Sequence, residues 1–259
     1  MTDEIIQKSV DKLISIFHEV RPLIMANAGN IEFDDKHDGS PVTEIDRQVE
    51  DTVISQMLVD FPDIPIFGEE TGYEEDLPAT CWLIDPIDGT KSFVSGDPYF
   101  TSMGVLIHNH KAVASVIYNH SSNETFVAYA GGGAFKNNQR LDLTQVDLPK
   151  IALCKEDNIE ILNKILEPKL VDCHPATDGG GHGFTKVADG NYSARFQIKS
   201  RGYIHDYAVG ALIVSEAGGH IIPILNDNYT YKTKSFVACH PAIADLIKSN
   251  LATIRELEL

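Results

Sequence analysis

The 259-residue sequence carries 38 acidic and 21 basic residues, a formal net charge of −17, and 43% of its residues are hydrophobic. An excess of negative charge repels nucleic acid, so we predict that the protein does not bind it. No stretch approaches the roughly 20 apolar residues of a membrane span, and no leader peptide is evident at the acidic N-terminus, so we expect a cytoplasmic protein with no membrane partner.

The spacing of the cysteines argues against a zinc site and against a disulfide framework. Cys81, Cys154, Cys173 and Cys239 lie far apart in the sequence and form no CxxC pair. Both kinds of site use closely spaced cysteines. Reduced thiols, as are usual in the cytosol, are therefore expected.

Two helices are predicted at the start of the chain. Apolar residues spaced alternately by four and three over residues 6–24 predict an amphipathic helix that ends in the Asn- and Gly-containing segment 27–30. A polar loop follows at 34–41. A second helix, marked by Asp46, Val49, Val53 and Met57, is predicted to close before Pro62.

Strands dominate the middle of the chain, and mixed elements follow. Residues 81–84 predict a buried strand, 101–107 and 112–118 a hairpin, and 125–130 a further strand. Later segments predict a helix at 159–166, a helix over 208–215, a strand at 235–238 and a last helix opened by Pro241. This order predicts a layered α/β (α+β) arrangement with two sheets.

Residues 85–90, Asp-Pro-Ile-Asp-Gly-Thr, are the most informative segment. Asp85 and Asp88, on a turn fixed by Pro86, can converge on one point. A helix starting here would turn the N–H groups of Gly89 and Thr90 outward, where they can bind phosphate. Mg²⁺ prefers one or two carboxylates together with water and substrate phosphate. A simple capped turn has the same pattern, so this segment alone leaves both interpretations open.

A calcium-binding loop is excluded for this segment. Such a loop needs oxygen ligands at alternating positions, and Pro86 and Ile87 interrupt that alternation.

Further carboxylates lie at predicted element ends. Glu69 and Glu70 follow Gly68, Asp206 lies where a late helix should begin, and Asp46 lies at the start of the second helix. Taken singly, the Glu pair is more typical of a solvated surface pair and Asp206 of a helix cap than of a metal site, and Asp46 could also be a simple cap.

Together these segments resemble the inositol monophosphatase family. The resemblance lies in residues 40–43 with Asp46, in 68–70, in 82–90, in the glycine-rich turn 133–135, and in His205-Asp206 with 217–219. It spans nearly the whole chain in the right order. It implies an αβαβα sandwich, one domain of residues 1–259 with a metal-binding half (1–145) and a second half (146–259), and a homodimer.

The resemblance also implies the metal centre. Two or three Mg²⁺ ions would bind per active site. Glu69, Asp85 and the carbonyl of Ile87 would hold the first ion, and Asp85, Asp88 and Asp206 the second, where Li⁺ can replace Mg²⁺. Glu69 would help to hold a third through waters.

The remaining roles follow from the same resemblance. Thr90, paired with Asp46, would orient or deprotonate the attacking water, so Asp46, Glu69 and Thr90 are the expected catalytic residues. The expected substrate-binding residues are Gly89, Thr90, Lys91 and Asp206. The implied activity is hydrolysis of a small phosphomonoester by a metal-activated water, in the manner of inositol-1-monophosphatase.

Departures from the family pattern leave the substrate open. A Lys at position 91 resembles the pattern of histidinol-phosphate phosphatases and bisphosphate nucleotidases. Gln197 or Lys199 stands where inositol-binding relatives often have a Glu. The alternatives are a histidinol-phosphate phosphatase, a 3′(2′),5′-bisphosphate nucleotidase, a fructose-1,6-bisphosphatase, and a catalytically silent regulator that binds a sugar phosphate.

For two further segments a structural role is predicted rather than a functional one. The usual Trp before the last Asp is His205 here, and we expect only a change in packing. The glycine-rich segment 178–183 could approach an anion through its backbone, but a flexible loop is favoured.

Overall fold

The computed structural model describes residues 1–36, 41–72, 76–176, 179–198 and 202–258. Its helices are α1 (Asp3–Asn27), α2 (Glu44–Asp60), α3 (Thr90–Ser95), α4 (Ile159–Leu166), α5 (Gly180–Ala188), α6 (Ile204–Glu216), α7 (Pro241–Ser249) and α8 (Leu251–Glu256). None of the helices in these ranges is long and apolar enough to cross a bilayer.

The strands form two large sheets and one small pair. The pair is β1 (Asp34–Asp35) with β2 (Pro41–Val42). The seven-stranded sheet, in sequential order, contains β3 (Ile66–Gly68), β4 (Thr80–Asp88), β5 (Thr101–His108), β6 (Lys111–Asn119), β7 (Glu124–Tyr129), β8 (Gly133–Lys136) and β9 (Gln139–Arg140). The five-stranded sheet, in the order β11-β10-β12-β14-β13, contains β10 (Ile151–Cys154), β11 (Asp172–Pro175), β12 (Ala194–Gln197), β13 (His220–Pro223) and β14 (Phe236–Cys239).

The two N-terminal helices form as predicted. Thr2 caps α1, and the apolar stripe of that helix is buried from Val10 to Ile24. Thr43 and Asp46 form a capping box at the start of α2: the Asp46 backbone N–H donates to the Thr43 hydroxyl, and the Thr43 N–H donates to the Asp46 carboxylate. The cap satisfies N–H groups that the first helical turn leaves without intrahelical partners.

Helices and sheets alternate in layers, as the αβαβα prediction requires. Helices α1 and α2 cover one face of the seven-stranded sheet, and α5 and α6 pack between the two sheets. Helices α4 and α7 cover the outer face of the five-stranded sheet. Strand β4 is buried on both faces, with Trp82 and Ile84 in the core beneath α1 and α2 and Leu83 in the core beneath α6. Burial on both faces explains its continuous apolar sequence, and each large side chain contributes roughly 1.5–3 kcal/mol.

The end of β4 differs from the predicted turn. The strand continues through Pro86 to Asp88. Its pairing with β5 slips there, because Asp85 faces Met103 while Asp88 faces Thr101. Three steps along β4 thus match two along β5, which is a β-bulge. The extra residue bends the strand end and re-aims the side chains of Asp85 and Asp88.

Two predictions in the second half need correction. Residues 180–183 do not form a flexible loop but begin α5, while Asp178 lies outside the described residues. Pro241 opens α7 as expected, yet α8 follows it, so α7 is not the last helix. The seven-stranded sheet ends before residue 145 and the five-stranded sheet begins after it, but the division into two halves stays a prediction.

Candidate active site

The predicted metal-binding and substrate-binding residues meet at one cavity of about 280 Å³, and the predicted catalytic residue Asp46 is not among the described residues that line it. Its walls come from the turn after β3, the end of β4, the start of α3 and the N-terminal ends of α5 and α6. The described residues that line it are Pro41, Glu69, Asp85, Ile87, Asp88, Gly89, Thr90, Lys91, Ser92, Gly179 and Asp206. The cavity therefore brings together every predicted metal-binding and substrate-binding residue of the chain.

Glu69 and Asp85 come together because β3 and β4 run in parallel. Gly68 pairs with Ile84, so the residues that follow them, Glu69 and Asp85, lie side by side where β3 ends. The backbone N–H of Glu69 donates to the Ile84 carbonyl at 3.1 Å, which holds the turn against β4. Asp85 follows Ile84 and is 1% exposed. Its Oδ1 is buried and has no hydrogen-bond partner among the described residues.

Asp88 bridges the end of β4 and the start of α5. Its carboxylate accepts the N–H groups of Gly180 at 3.0 Å and Gly181 at 2.8 Å, and also the Thr101 hydroxyl at 3.2 Å. These are orphan donors of the first helical turn, so the carboxylate caps the helix. Two backbone N–H groups of the glycine-rich segment 178–183, which could have approached an anion, thus donate to Asp88 instead.

Asp206 lies in the first turn of α6 and has a similar double role. One carboxylate oxygen accepts the Tyr203 N–H at 2.5 Å. The other, Oδ1, faces the His205 imidazole. The helix cap expected for Asp206 is therefore present, and it fixes the carboxylate at the cavity.

Burial and mutual repulsion raise the pKa values of the three aspartates at the cavity, Asp85, Asp88 and Asp206. The pKa of Asp85 is well above its ordinary value, because burial and then the charges of Glu69, Asp88 and Asp206 disfavour its ionised form. Burial and Asp206 raise the pKa of Asp88 to about 6, against the hydrogen bonds from Gly181 and Gly180. Burial and Glu69 raise the pKa of Asp206 to about 7. A carboxylate cluster of this kind favours any bound cation.

The residues fit a divalent metal. Among the described residues two groups could hold an ion, Glu69 with Asp85 and His205, and Asp85 with Asp88 and Asp206; within each group the ligand atoms lie within 4.8 Å of one another. Buried carboxylates with raised pKa values, and the buried Asp85 Oδ1 that lacks a hydrogen-bond partner, are the features that a hard cation would satisfy.

Lys36 contacts the acidic pair at the site, and no local sequence pattern indicates this contact. Its ammonium lies 2.6 Å from Glu69 Oε1 and 2.6 Å from Glu70 Oε1. Burial alone would lower the pKa of Lys36, but the two carboxylates outweigh it and raise that pKa. A lone Lys in a polar loop is usually a solvated residue, and only the fold places this one on the acidic pair.

Glu50 was missed as well, and it positions the Glu69 turn. Its two carboxylate oxygens accept the N–H groups of Glu70 at 2.8 Å and Thr71 at 2.7 Å. The side chain is 1% exposed, and a Cβ at Gly68 would lie 2.0 Å from its carboxyl carbon. A Glu four residues after Asp46, on the buried side of α2, is the signal that could have revealed it.

His205 does more than alter packing. It is 1% exposed, and its Nε2 lies 3.7 Å from Glu69 Oε2 and 3.3 Å from Asp206 Oδ1. Burial lowers the pKa of this imidazole, and the charge of Glu69 opposes that effect. The structure thus places His205 inside the acidic cluster, which the sequence interpretation did not anticipate.

The predicted Thr90–Asp46 pair is not among the hydrogen bonds of these described residues. Thr90 Oγ donates to the Ile87 carbonyl at 3.1 Å, and Asp46 accepts the backbone N–H and the hydroxyl of Thr43. Burial raises the pKa of Asp46, although the Thr43 hydrogen bonds oppose the shift. Gly89, at φ +85°, turns the chain between β4 and α3, where a Cβ would lie 2.5 Å from the Tyr99 carbonyl.

Of the residues expected to determine substrate specificity, Lys91 lies at the cavity. Lys91 is exposed and lines the cavity. Gln197 ends β12 and is not among the described residues lining the cavity. Ser40 and Lys199 lie outside the described residues.

Comparisons with known proteins show which family the sequence matches. A family model described as the inositol monophosphatase family matches residues 3–256. A fructose-1,6-bisphosphatase/inositol-1-monophosphatase of Thermotoga maritima is 28% identical over 91% of this chain and 93% of its own. A 3′(2′),5′-bisphosphate nucleotidase CysQ of Aggregatibacter actinomycetemcomitans is 30% identical over 78% of this chain and 79% of its own. A Nus factor SuhB of Vibrio cholerae is 28% identical over 90% and 89%.

Solved structures match over nearly the full length. An IMPase of Thermotoga maritima superposes with a TM-score of 0.82 at 26% identity, covering 96% of this chain and 98% of its own. An IMPase/NADP phosphatase in complex with Mg²⁺ and phosphate has a TM-score of 0.77 at 19% identity, covering 93% and 94%. At that identity the second likeness shows the fold alone. The expected layered sandwich is thereby confirmed.

Proposed function

Because this chain belongs to the inositol monophosphatase family of phosphatases, we propose that it hydrolyses a small phosphomonoester with Mg²⁺, in the manner of an inositol-1-monophosphatase. The observation that carries the proposal is the convergence of Glu69, Asp85, Asp88 and Asp206 on one cavity, where Asp85 is buried.

The metal assignments follow from which residues share the cavity. Glu69, Asp85 and the Ile87 carbonyl would hold the first ion, and Asp85, Asp88 and Asp206 the second, with Glu69 assisting a third. When bound, these ions neutralise the phosphate ester and lower the pKa of the attacking water. The number of ions, two or three per site, is part of the proposal.

The chain's own groups then bind and orient the reactants. The N–H groups of Gly89 and Thr90 hold the phosphate at the turn before α3. Thr90 and Asp46 orient the attacking water, with Glu69 as the third catalytic residue. For this, the Thr90 hydroxyl must leave the Ile87 carbonyl, and the same movement exposes that carbonyl as a ligand. The raised pKa of Asp46 makes it a better proton acceptor near neutral pH than an ordinary Asp.

The substrate of the proposal is an inositol monophosphate or a similarly small phosphomonoester, accepted broadly. Relatives named for fructose 1,6-bisphosphate and for bisphosphate nucleotides keep those substrates as alternatives. Histidinol phosphate is an alternative on the sequence resemblance at Lys91 alone. Lys91 at the cavity could meet a second phosphate. Asp206 and Lys91 would contact the part of the substrate beyond the scissile phosphate.

A non-catalytic role is the second candidate, since one relative is named a Nus factor. A silent regulator would be expected to lose metal-binding carboxylates, and all four predicted here are present. That the protein does not bind nucleic acid also stays a prediction. A homodimer and a cytoplasmic location also remain predictions, and light scattering of the purified protein would test the first.

Phosphate release tests the proposal directly. The purified protein is assayed with and without Mg²⁺ on inositol 1-phosphate, histidinol phosphate, fructose 1,6-bisphosphate and a 3′,5′-bisphosphate nucleotide. Turnover that is lost after chelation and restored by Mg²⁺ is expected on several of these substrates. Full turnover after exhaustive chelation, or none on any substrate, would refute it.

Lithium sensitivity is expected from the second metal group. Asp85, Asp88 and Asp206 offer a small, hard, anionic site that suits Li⁺ as well as Mg²⁺. Li⁺ should therefore slow phosphate release in the same assay. A matched series with Na⁺ controls for ionic strength, and equal rates in both series would show that the site differs from this assignment.

A further inference from the structure

His205 is set into the acidic cluster by the start of α6. It is the second residue of that helix, and its ring stacks on Tyr203 with centroids 5.5 Å apart. Its side chain is 1% exposed, so a nitrogen base is held among carboxylates away from solvent. Both features fix the imidazole in one place.

The two oxygens of Glu69 have different neighbours. Oε1 accepts the Lys36 ammonium at 2.6 Å, while Oε2 faces His205 Nε2 at 3.7 Å. Glu69 can therefore keep Lys36 on one oxygen and offer the other to an ion lying next to the imidazole.

The spacing is that of ligands around one ion. The ligand atoms of Glu69, Asp85 and His205 lie within 4.8 Å of one another. Nitrogen and oxygen ligands about 2.0–2.2 Å from a metal are themselves roughly 3–4.4 Å apart. The 3.3 Å from His205 Nε2 to Asp206 is, by contrast, longer than the roughly 2.7–2.9 Å of a strong charge-assisted hydrogen bond.

Resting on the metal centre of the proposed function, we propose that His205 is a nitrogen ligand of the ion held by Glu69 and Asp85. The first site is then a mixed nitrogen–oxygen site rather than one of oxygens only. Imidazole suits Zn²⁺, Ni²⁺ and Fe²⁺, whereas Mg²⁺ prefers oxygen ligands. His205 thus shifts the metal preference of this chain toward transition metals.

Pulsed EPR on the Mn²⁺-loaded protein tests the ligand itself. The wild type should show a directly coordinated nitrogen that changes isotope pattern when the protein is grown on ¹⁵N-histidine. His205→Gln should lose that coupling, and His174→Gln, at an exposed histidine, should keep it. Mn²⁺ bound without nitrogen coupling in the wild type would overturn the inference but leave the metal centre intact. Absence of Mn²⁺ binding would overturn both.

Metal affinity gives a second measurement. The ratio of Zn²⁺ to Mg²⁺ affinity, from calorimetric titration, should fall at least about tenfold in His205→Gln, since losing even an outer-shell partner of a ligand costs roughly 10–100-fold in metal affinity. His205→Trp, which restores the residue usual at this position in the family pattern, should give the same fall. An unchanged ratio in both variants, each folded by circular dichroism, would contradict a ligand role.

Discussion

Asp88 illustrates how one side chain at this site serves both the fold and the chemistry. Its carboxylate caps α5 through Gly180 and Gly181 and also belongs to the second metal group. An ion can be held there only by sharing oxygens that already accept hydrogen bonds. The second site is therefore coupled to the position of α5.

Asp88→Asn should lower kcat by about 10²-fold or more, the scale of losing one key transition-state stabiliser. Asn keeps one oxygen for the α5 cap but turns an amide donor toward the other N–H, so a stability loss of about 1 kcal/mol is also expected. Steady-state kinetics and thermal unfolding of the same samples separate the two effects. A variant with near-normal kcat would remove Asp88 from the metal assignment.

Lys91→Ala addresses substrate choice. Lys91 is exposed, so its attraction for a second phosphate is worth about 1 kcal/mol or less. We expect a severalfold rise in KM for bisphosphates and little change for inositol 1-phosphate. Lys111→Ala, at the β5–β6 hairpin, removes the same charge away from the cavity and should change neither value. Equal effects of the two variants on every substrate would deny Lys91 a specific contact.

At the scale of elements, the site is assembled where the ends of two strands meet the starts of three helices. The parallel pair β3–β4 sets Glu69 beside Asp85, and α6 brings Asp206 from the second half of the chain. Glu50 on α2 pins the turn after β3. The geometry of the first metal group thus depends on a helix that supplies none of the ligands in that group.

Gly68→Ala tests this dependence. A Cβ at Gly68 would lie 2.0 Å from the Glu50 carboxyl carbon, so Glu50 or the turn must move. We expect a loss of about 1–3 kcal/mol in the free energy of unfolding and weaker Mg²⁺ binding. Gly131→Ala is the control, because its Cβ meets no atom within 4 Å and only its φ of +73° is strained. Mg²⁺ affinity that is equal in both variants and the wild type would show that Glu50 does not position the turn.

The features that the sequence predicts are those carried by residues close together in the chain. Residues 85–90 are contiguous, and α1 and α2 follow a clear period, so each was found from its own segment. Lys36 is 33 residues from Glu69, and no local pattern joins them. Helix α5 was missed because its glycines are poor helix formers. Burial and the Asp88 cap stabilise it, and both arise from tertiary contacts.

At the scale of the whole molecule, two sets of buried groups give stability opposite dependences on pH. Burial lowers the pKa of His120 to about 3 and also lowers that of His205. The unfolded state therefore binds more protons at these histidines, and their contribution to stability rises as the pH rises toward about 6.5. The acids Asp88, at about 6, and Asp206, at about 7, have raised pKa values. Between about pH 4 and pH 7 the folded state therefore keeps protons that the unfolded state has lost, and the acids reduce stability as the pH rises.

The acidic contribution can be isolated with the double variant Asp88→Asn/Asp206→Asn, which keeps both histidines. In chelator, the Tm of the variant relative to the wild type should rise from about pH 5 to about pH 8, because the wild type gains the buried charges of Asp88 and Asp206 over that interval and the variant does not. Saturating Mg²⁺ should raise the Tm of the wild type much more at the higher pH, where protons no longer compete for the carboxylates, and should shift the variant little. Differential scanning calorimetry of the two proteins with and without Mg²⁺ measures all of these values. A Tm difference that is independent of pH in chelator would mean that these acids are already ionised at about pH 5, and that the folded protein tolerates their charge without a metal.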